Sequence, residues 1–142
     1  MRLVLLLTAL LAFQGAAASE FDEMKALADQ GMAAAQFNLG TMYDNRRGVP
    51  ENGAEAVKWY GKAAGQGYAD AQYNLGLMYA TGSGVLKSKI RAYVWWSMSK
   101  IQGTLRAESA LDSLKPRMDA QQIVQAQALA SQCYESAYKE CD

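Results

Sequence analysis

Ala33-Ala34-Ala35-Gln36-Phe37-Asn38-Leu39-Gly40-Thr41-Met42-Tyr43 returns 36 residues later as Ala69-Asp70-Ala71-Gln72-Tyr73-Asn74-Leu75-Gly76-Leu77-Met78-Tyr79. A segment reprinted at a fixed period marks stacked supersecondary units, because each unit must present the same face to the next. The correspondence extends outward on both sides. Gln30-Gly31 is answered by Gln66-Gly67 and by Gln102-Gly103, Gly48-Val49 by Gly84-Val85, Ala56 by Ala92 and Trp59 by Trp95. Leu39 and Leu75 continue to Leu111, and Ala35 and Ala71 to Ala107. Two full units, residues 33–68 and 69–104, therefore sit between half-units, and a worn third copy opens the segment 105–142.

The amino terminus carries a different signal. Arg2 precedes a leucine-rich run from Leu3 to Phe13, then Gln14-Gly15 and the small residues Ala16-Ala17-Ala18. A charged start, an apolar run of about 11 residues and an A-x-A site predict a cleavable secretory leader over residues 1–18. The run is shorter than the roughly 20 residues a membrane span needs, and no Cys stands at the cleavage site to take a lipid anchor. The expectation is an exported domain of residues 19–142, periplasmic or secreted, with no stable membrane span after cleavage. Without Arg2, 13 basic residues face 14 acidic ones. That balance leaves no electrostatic footprint for nucleic acid or for an anionic membrane. About 124 residues is an ordinary domain length, and a hydrophobic content of 51% is too high for disorder.

Period 3.6 accounts for the rest of the chain. Ala35, Leu39, Met42 and Tyr43 form one stripe of a helix from Ala33 to Tyr43, and Ala56, Trp59, Tyr60 and Ala63 repeat the pattern from Asn52 to Ala64. Asn45-Arg46-Arg47-Gly48-Val49-Pro50 breaks the helix between them. The second unit copies this with helices from Ala69 to Ala80 and from about Lys89 to Ile101, around Gly82-Ser83-Gly84. Phe21 to Gln30 reads as one more helix before the first unit. Another runs from Leu105 to Leu114, where Lys115-Pro116 interrupts it. Asp119 and Gln122 form a capping box that opens a last helix from Ala120 to about Tyr138. No stretch alternates with period two for long enough to be a strand. Ala and Gly on the stripe permit close helix approach, and the Tyr and Trp residues that recur with the period are read as core rather than as a cofactor box.

Cys133 and Cys141 are the only cysteines. On one unbroken helix their separation would span about 12 Å of rise, whereas a disulfide needs Cα atoms within roughly 7 Å. In an exported chain the favoured reading is an intramolecular bridge that ties down the tail, with the helix ending or bending between the two residues. Free thiols and an intermolecular link are the alternatives.

The phrase A-x-A-Q-x-N-L-G-x-M-Y, then Gly48-Val49, then Ala56-Val57-Lys58-Trp59-Tyr60-Gly61-Lys62-Ala63-Ala64-Gly65-Gln66-Gly67, resembles the Sel-1-like repeat, a variant of the tetratricopeptide repeat. The resemblance runs from about Leu27 to Gly103. It implies an all-α fold: an α-solenoid of antiparallel helix pairs, here closed by a C-terminal capping helix, whose curved inner face binds proteins or peptides and carries no catalytic residues. Two departures stand out. The first turn has Arg46 where the second has Gly82, so a different backbone conformation is expected there, with Arg46-Arg47 as solvated loop charges. Ser97-Met98-Ser99 replaces Gly61-Lys62-Ala63. The cysteines that some relatives carry in each repeat are missing, so properties of that branch do not transfer.

In the tetratricopeptide relatives the groove is lined by the first helix of each pair. Carried onto this chain, that face holds Phe37, Asn38, Thr41 and Asp44 in the first unit, and Asp70, Tyr73, Asn74 and Leu77 in the second. Phe37 and Tyr73 are the favoured contacts. Asn38 and Asn74 either bond a peptide backbone or hold the neighbouring helix. The partner is a protein or peptide, with no cofactor and no metal.

Enzymatic chemistry finds little support. The absence of histidine removes Ser-His-Asp, Cys-His and His-ligated metal sites. Ser97-Met98-Ser99-Lys100 and Ser136-Ala137-Tyr138-Lys139 both fit S-x-x-K, but no K-T-G or S-D-N accompanies them. No P-loop or dinucleotide fingerprint is present. The leading reading is a non-enzymatic interaction scaffold. A penicillin-interacting or other hydrolytic enzyme, and a self-associating structural envelope protein, are the alternatives.

Overall fold

Seven α-helices and one 3-10 turn, with no strand among the described residues, make up the computed structural model, which describes residues 18–142. The helices are α1 (Glu20–Asp29), α2 (Ala33–Asp44), α3 (Gly53–Ala64), α4 (Ala69–Thr81), α5 (Lys89–Ile101), α6 (Leu105–Leu114) and α7 (Ala120–Glu135), with the 3-10 turn Lys115–Arg117 between the last two. The expected leader lies outside the described residues, apart from Ala18.

Two devices start these helices, and they alternate along the chain. Helices α1, α3 and α5 open on side-chain caps: Ser19, Asn52 and Ser88 each accept a backbone N–H of the first turn. Helices α2, α4 and α6 have no such cap, because each follows at once on a tight turn that ends the helix before it. In those turns Met32, Tyr68 and Thr104 donate their N–H to the carbonyls of Leu27, Ala63 and Ser99. Gly31, Gly67 and Gly103 sit between at φ of 90°, 86° and 92°. This is the Schellman closure, and its left-handed residue explains why Gln-Gly recurs three times in the sequence.

The loops inside the two units also match, against expectation. Arg46 takes φ of 58° where Gly82 takes 71°. Arg47 and Ser83 bond back to the carbonyls of Met42 and Met78, and Asn52 and Ser88 to those of Tyr43 and Tyr79. The first loop therefore keeps the backbone path of the second despite lacking the glycine. Arg46 accepts the left-handed conformation while its guanidinium pairs with Glu51 at 2.7 Å.

Packing follows the solenoid pattern. Helix α2 pairs with α3 and α4 with α5, while α1 lies on α2, α3 on α4 and α5 on α6. The closest approach inside each pair runs through a glycine. A Cβ on Gly40 would stand 2.7 Å from Cδ1 of Tyr60, and one on Gly76 would stand 2.5 Å from Cδ1 of Trp96. Both rings are buried, so the aromatic of the second helix lies on bare backbone of the first.

A relay of buried amides links one unit to the next. Gln36 donates to the carbonyl of Ala28 at 3.2 Å, and Gln66 donates to Gln36 Oε1 at 2.7 Å. One repeat on, Gln72 donates to the carbonyl of Ala64 at 3.1 Å, and Gln102 to Gln72 Oε1 at 2.7 Å. Each relay adds a second hydrogen bond to a carbonyl at the end of the preceding helix, which also accepts the N–H of the turn glycine, Gly31 or Gly67.

The third copy is irregular. After α6 the Lys115–Arg117 turn redirects the chain, and α7 packs on α5 rather than completing a hairpin with α6. Helix α7 ends at Glu135, earlier than the sequence pattern predicts, and the chain folds back so that Cys133 and Cys141 are joined by a disulfide with Cα atoms 4.4 Å apart. The reversal is a fourth Schellman closure, Tyr138 N–H to the Cys133 carbonyl, but with Ala137 at φ of 52° in the place of glycine.

Two substitutions test these contacts. Gly76→Ala gains about 1 kcal/mol of helix propensity, yet it drives a methyl into a ring held on all sides, an overpacking that costs about 1–3 kcal/mol. We expect a net loss of stability in urea denaturation; an unchanged midpoint would show that the ring is free to move. Ala137→Gly relieves the left-handed residue at an exposed position and should raise stability by about 1 kcal/mol, read from the same curves with the disulfide intact.

Candidate functional site

The face formed by the first helices, α2, α4 and α6, is built differently at its two ends. Between α2 and α4 the hydroxyl of Tyr60 emerges from α3 and meets Thr41 Oγ1 and Asp44 Oδ2, both at 3.4 Å. The side chain of Asn74, on α4, stands near the same hydroxyl. Thr41 in turn donates to the carbonyl of Phe37 at 3.1 Å. One tyrosine thus gathers three predicted groove residues into a polar cluster bridging two units.

The second unit places Trp96 where the first has Tyr60. Its indole N–H is turned to the carbonyl of Tyr73 at 3.0 Å, and the two rings stack with centroids 6.4 Å apart. Arg106, from α6, lays its guanidinium over the Tyr73 ring at 4.5 Å and reaches Asp70 Oδ1 at 3.3 Å. Tyr73, Asp70 and Arg106 therefore form a stacked, charge-paired corner at the junction of α4 and α6.

The remaining predicted residues divide between packing and exposure. Phe37 lies against Tyr60 and Tyr68, with ring centroids at 5.9 and 5.1 Å, so its ring serves the joint between units and is only half-exposed to the groove. Asn38 is exposed and Asn74 half-buried, so the two equivalent amides have different surroundings. Leu77 is 42% exposed, an apolar side chain on the groove helix not taken up by the core. Tyr60, Trp96 and Arg106 were not among the residues expected to shape this face. The signal that could have found the first two was the exchange of Tyr for Trp at one repeat position.

The lysine of one S-x-x-K match and the serine of the other are engaged in other contacts. Lys100 is paired with Glu108 at 3.3 Å. Ser136 Oγ donates to the carbonyl of Cys133 at 3.0 Å and accepts the N–H of Glu140, which makes it part of the chain reversal after α7. Among the described residues no cluster of three or more His, Cys, Asp or Glu side chains could hold a metal ion. No helix of the described residues is long and apolar enough to cross a membrane.

Comparison with known proteins agrees with this architecture. The family model described as Sel1 repeat matches residues 33–68 and 69–103. Among solved structures, a protective antigen present in uropathogenic Escherichia coli strains, displaying an SLR fold, is 31% identical with a TM-score of 0.76, over 84% of this chain and 28% of that one. A Sel1 repeat protein from Oxalobacter formigenes is 38% identical with a TM-score of 0.63, over 64% of this chain and 26% of that one. The chain thus spans little more than a quarter of the length of either. No curated protein matches it.

Burial pushes the Tyr60 hydroxyl above the ordinary tyrosine value of 10.0; hydrogen bonding to Thr41 opposes the shift and the Asp44 carboxylate adds to it. A proton held more tightly in the folded chain stabilises the fold at all pH below the unfolded value. That contribution is lost as pH rises through the folded value, because the unfolded chain releases its proton first. Between about pH 9 and about pH 11 the urea midpoint of the parent should therefore fall more steeply than that of Tyr60→Phe. Parallel curves would remove the hydroxyl from the polar cluster.

Proposed function

Because the chain belongs to the Sel1 repeat family, we propose that it is an exported scaffold that holds a protein or peptide partner along the face of α2, α4 and α6. Sel1 repeats mediate protein–protein interaction, and the reading for this chain rests on one observation above the others. Packing between helices uses the alanines, Leu39, Leu75 and the tryptophans, but it leaves Leu77 and Asn38 exposed on equivalent helices of successive units. An apolar side chain one turn from Tyr73 and an unburied amide on the preceding groove helix offer a peptide both a hydrophobic contact and a backbone partner. Export is supported by the leader-like sequence of residues 1–18 and by the Cys133–Cys141 disulfide, a bond that persists in oxidising compartments such as the periplasm or the extracellular space.

The test is affinity capture with residues 19–142 as bait. An Asn38→Ala, Leu77→Asp double variant should lose the bound partner, while Lys58→Ala on α3, outside the groove face, should keep it. These positions are preferable to Phe37, whose ring is packed between Tyr60 and Tyr68 and whose loss would disturb the joint between units. A partner retained by the double variant would place recognition on another face.

A further inference from the structure

The two units differ most where their groove sides should be alike. The polar cluster of the first unit consists of Thr41, Asp44, Tyr60 and Asn74. One repeat on, the same positions are Leu77, Ala80, Trp96 and Ala110. The first gap is filled by its own carboxylate, amide and hydroxyl. The second is left open as a cleft of about 390 Å³, lined by Ala80, Trp96, Ala110 and Leu114 on its floor and by Lys87, Lys89 and Arg117 at its rim. Two alanines standing where Asp44 and Asn74 stand in the first unit are enough to account for the space.

Charge departs in the same direction. From Ala71 to Ala107 the chain has no acidic residue at all, while Lys87, Lys89, Arg91, Lys100 and Arg106 fall within it. Three of these find carboxylates elsewhere: Arg91 with Asp142, Lys100 with Glu108 and Arg106 with Asp70. The cations of the cleft do not. Among the described residues none of Lys87, Lys89 and Arg117 is in an ion pair. Lys89 donates to the carbonyl of Arg117 at 2.7 Å, which fixes its ammonium beside the rim. No acidic residue lines the cleft.

We propose that this cleft receives an acidic segment of the partner protein, with a partner Asp or Glu carboxylate entering beside Ala80 in the place that Asp44 occupies in the first unit. The neighbouring apolar side chain of that segment lies on Trp96 and Leu114. The proposal rests on the reading of the α2, α4 and α6 face as the interaction surface and gives that surface its chemistry. Lys87 and Arg117 supply the attraction, and the alanines supply the room. Half-exposed ion pairs of this kind contribute specificity and on-rate more than bulk affinity, and their effect weakens with salt.

The probe is a labelled peptide of about ten residues with alternating leucine and glutamate, compared with its glutamine counterpart, in a binding titration against residues 19–142 at low and at physiological salt. The glutamate peptide should bind and the glutamine peptide should bind more weakly. Lys87→Ala with Arg117→Ala should weaken the glutamate peptide about fivefold, the loss expected of two surface pairs. Ala80→Asp, which rebuilds the carboxylate of the first unit inside the cleft, should abolish the preference for glutamate. Lys58→Ala with Lys62→Ala, on α3, should leave binding as it was. All are surface or small-residue changes, and circular dichroism checks that each variant keeps its helices.

Equal binding of the two peptides, no binding of either, or an equal loss on the α3 variant would overturn the proposal. So would tighter, Lys87-dependent binding of a single-stranded oligonucleotide, which would make the cleft a polyanion site. Concentration-dependent dimerisation abolished by Ala80→Asp would likewise overturn it, by assigning the cleft to a second copy of the chain. If captured partner is lost with Asn38→Ala, Leu77→Asp but kept with Ala80→Asp, the groove reading stands and the acidic-segment proposal falls.

Discussion

The contact on which the rest of the structure depends is an aromatic ring laid on a glycine. Tyr60 covers Gly40 and Trp96 covers Gly76, at distances that leave no room for a methyl group. With no side chain on the first helix at that point, the ring of the second lies directly on its backbone and fills the space between the pair. The same contact fixes the direction of the ring's polar tip. In both units it meets the first helix of its own pair: the Tyr60 hydroxyl finds Thr41 and Asp44 on α2, and the Trp96 N–H finds the Tyr73 carbonyl on α4. Architecture and groove chemistry thus share one residue per unit.

Unit is joined to unit by polar contacts as well as apolar ones. The Gln36 and Gln72 amides are buried and would be costly if unpaired. Each is satisfied twice, by a carbonyl of the preceding helix and by the Gln that closes the following one. Because the donor and acceptor recur at the same repeat positions, one register of stacking satisfies all four amides together. A slipped stack would leave them without partners. The hydrophobic faces alone, made largely of alanine, could slide, so the glutamines supply the register that small residues do not.

Much of this is legible in the amino-acid sequence alone. The 36-residue period located the units, the 3.6-residue stripe located the helices, and the distance argument required α7 to end or bend between Cys133 and Cys141 if the two are bridged, as they are. Three features were not legible, each for a physical reason. Arg46 follows the path of Gly82 because tertiary constraints on both sides of the loop override its local preference, which a propensity reading cannot weigh. Helix α7 lies on α5 because the 3-10 turn redirects the chain, and the periodicity of a helix does not say which neighbour it will meet. The role of Phe37 depends on two rings, Tyr60 and Tyr68, that are 23 and 31 positions away in sequence. Its placement on the first helix was readable, whereas its occupation by packing was not.

The exchange of Tyr60 for Trp96 shows how such a stack varies its surface without losing its fold. Both rings present a flat face to glycine, Tyr60 through Cδ1 and Cε1 and Trp96 through Cδ1 and Nε1, so either satisfies the close approach. Their polar groups differ: a hydroxyl donates and accepts, whereas an indole N–H only donates. Tyr60 therefore supports a cluster containing a carboxylate, a hydroxyl and an amide. Trp96 spends its one donor on a backbone carbonyl and requires nothing of its neighbours, so Asp44 and Asn74 have alanine counterparts in Ala80 and Ala110. The packing constraint is met by a planar ring, which the two residues share. The surface chemistry is set by the part that they do not, and this is why the copies are nearly identical in their cores and diverge along one face.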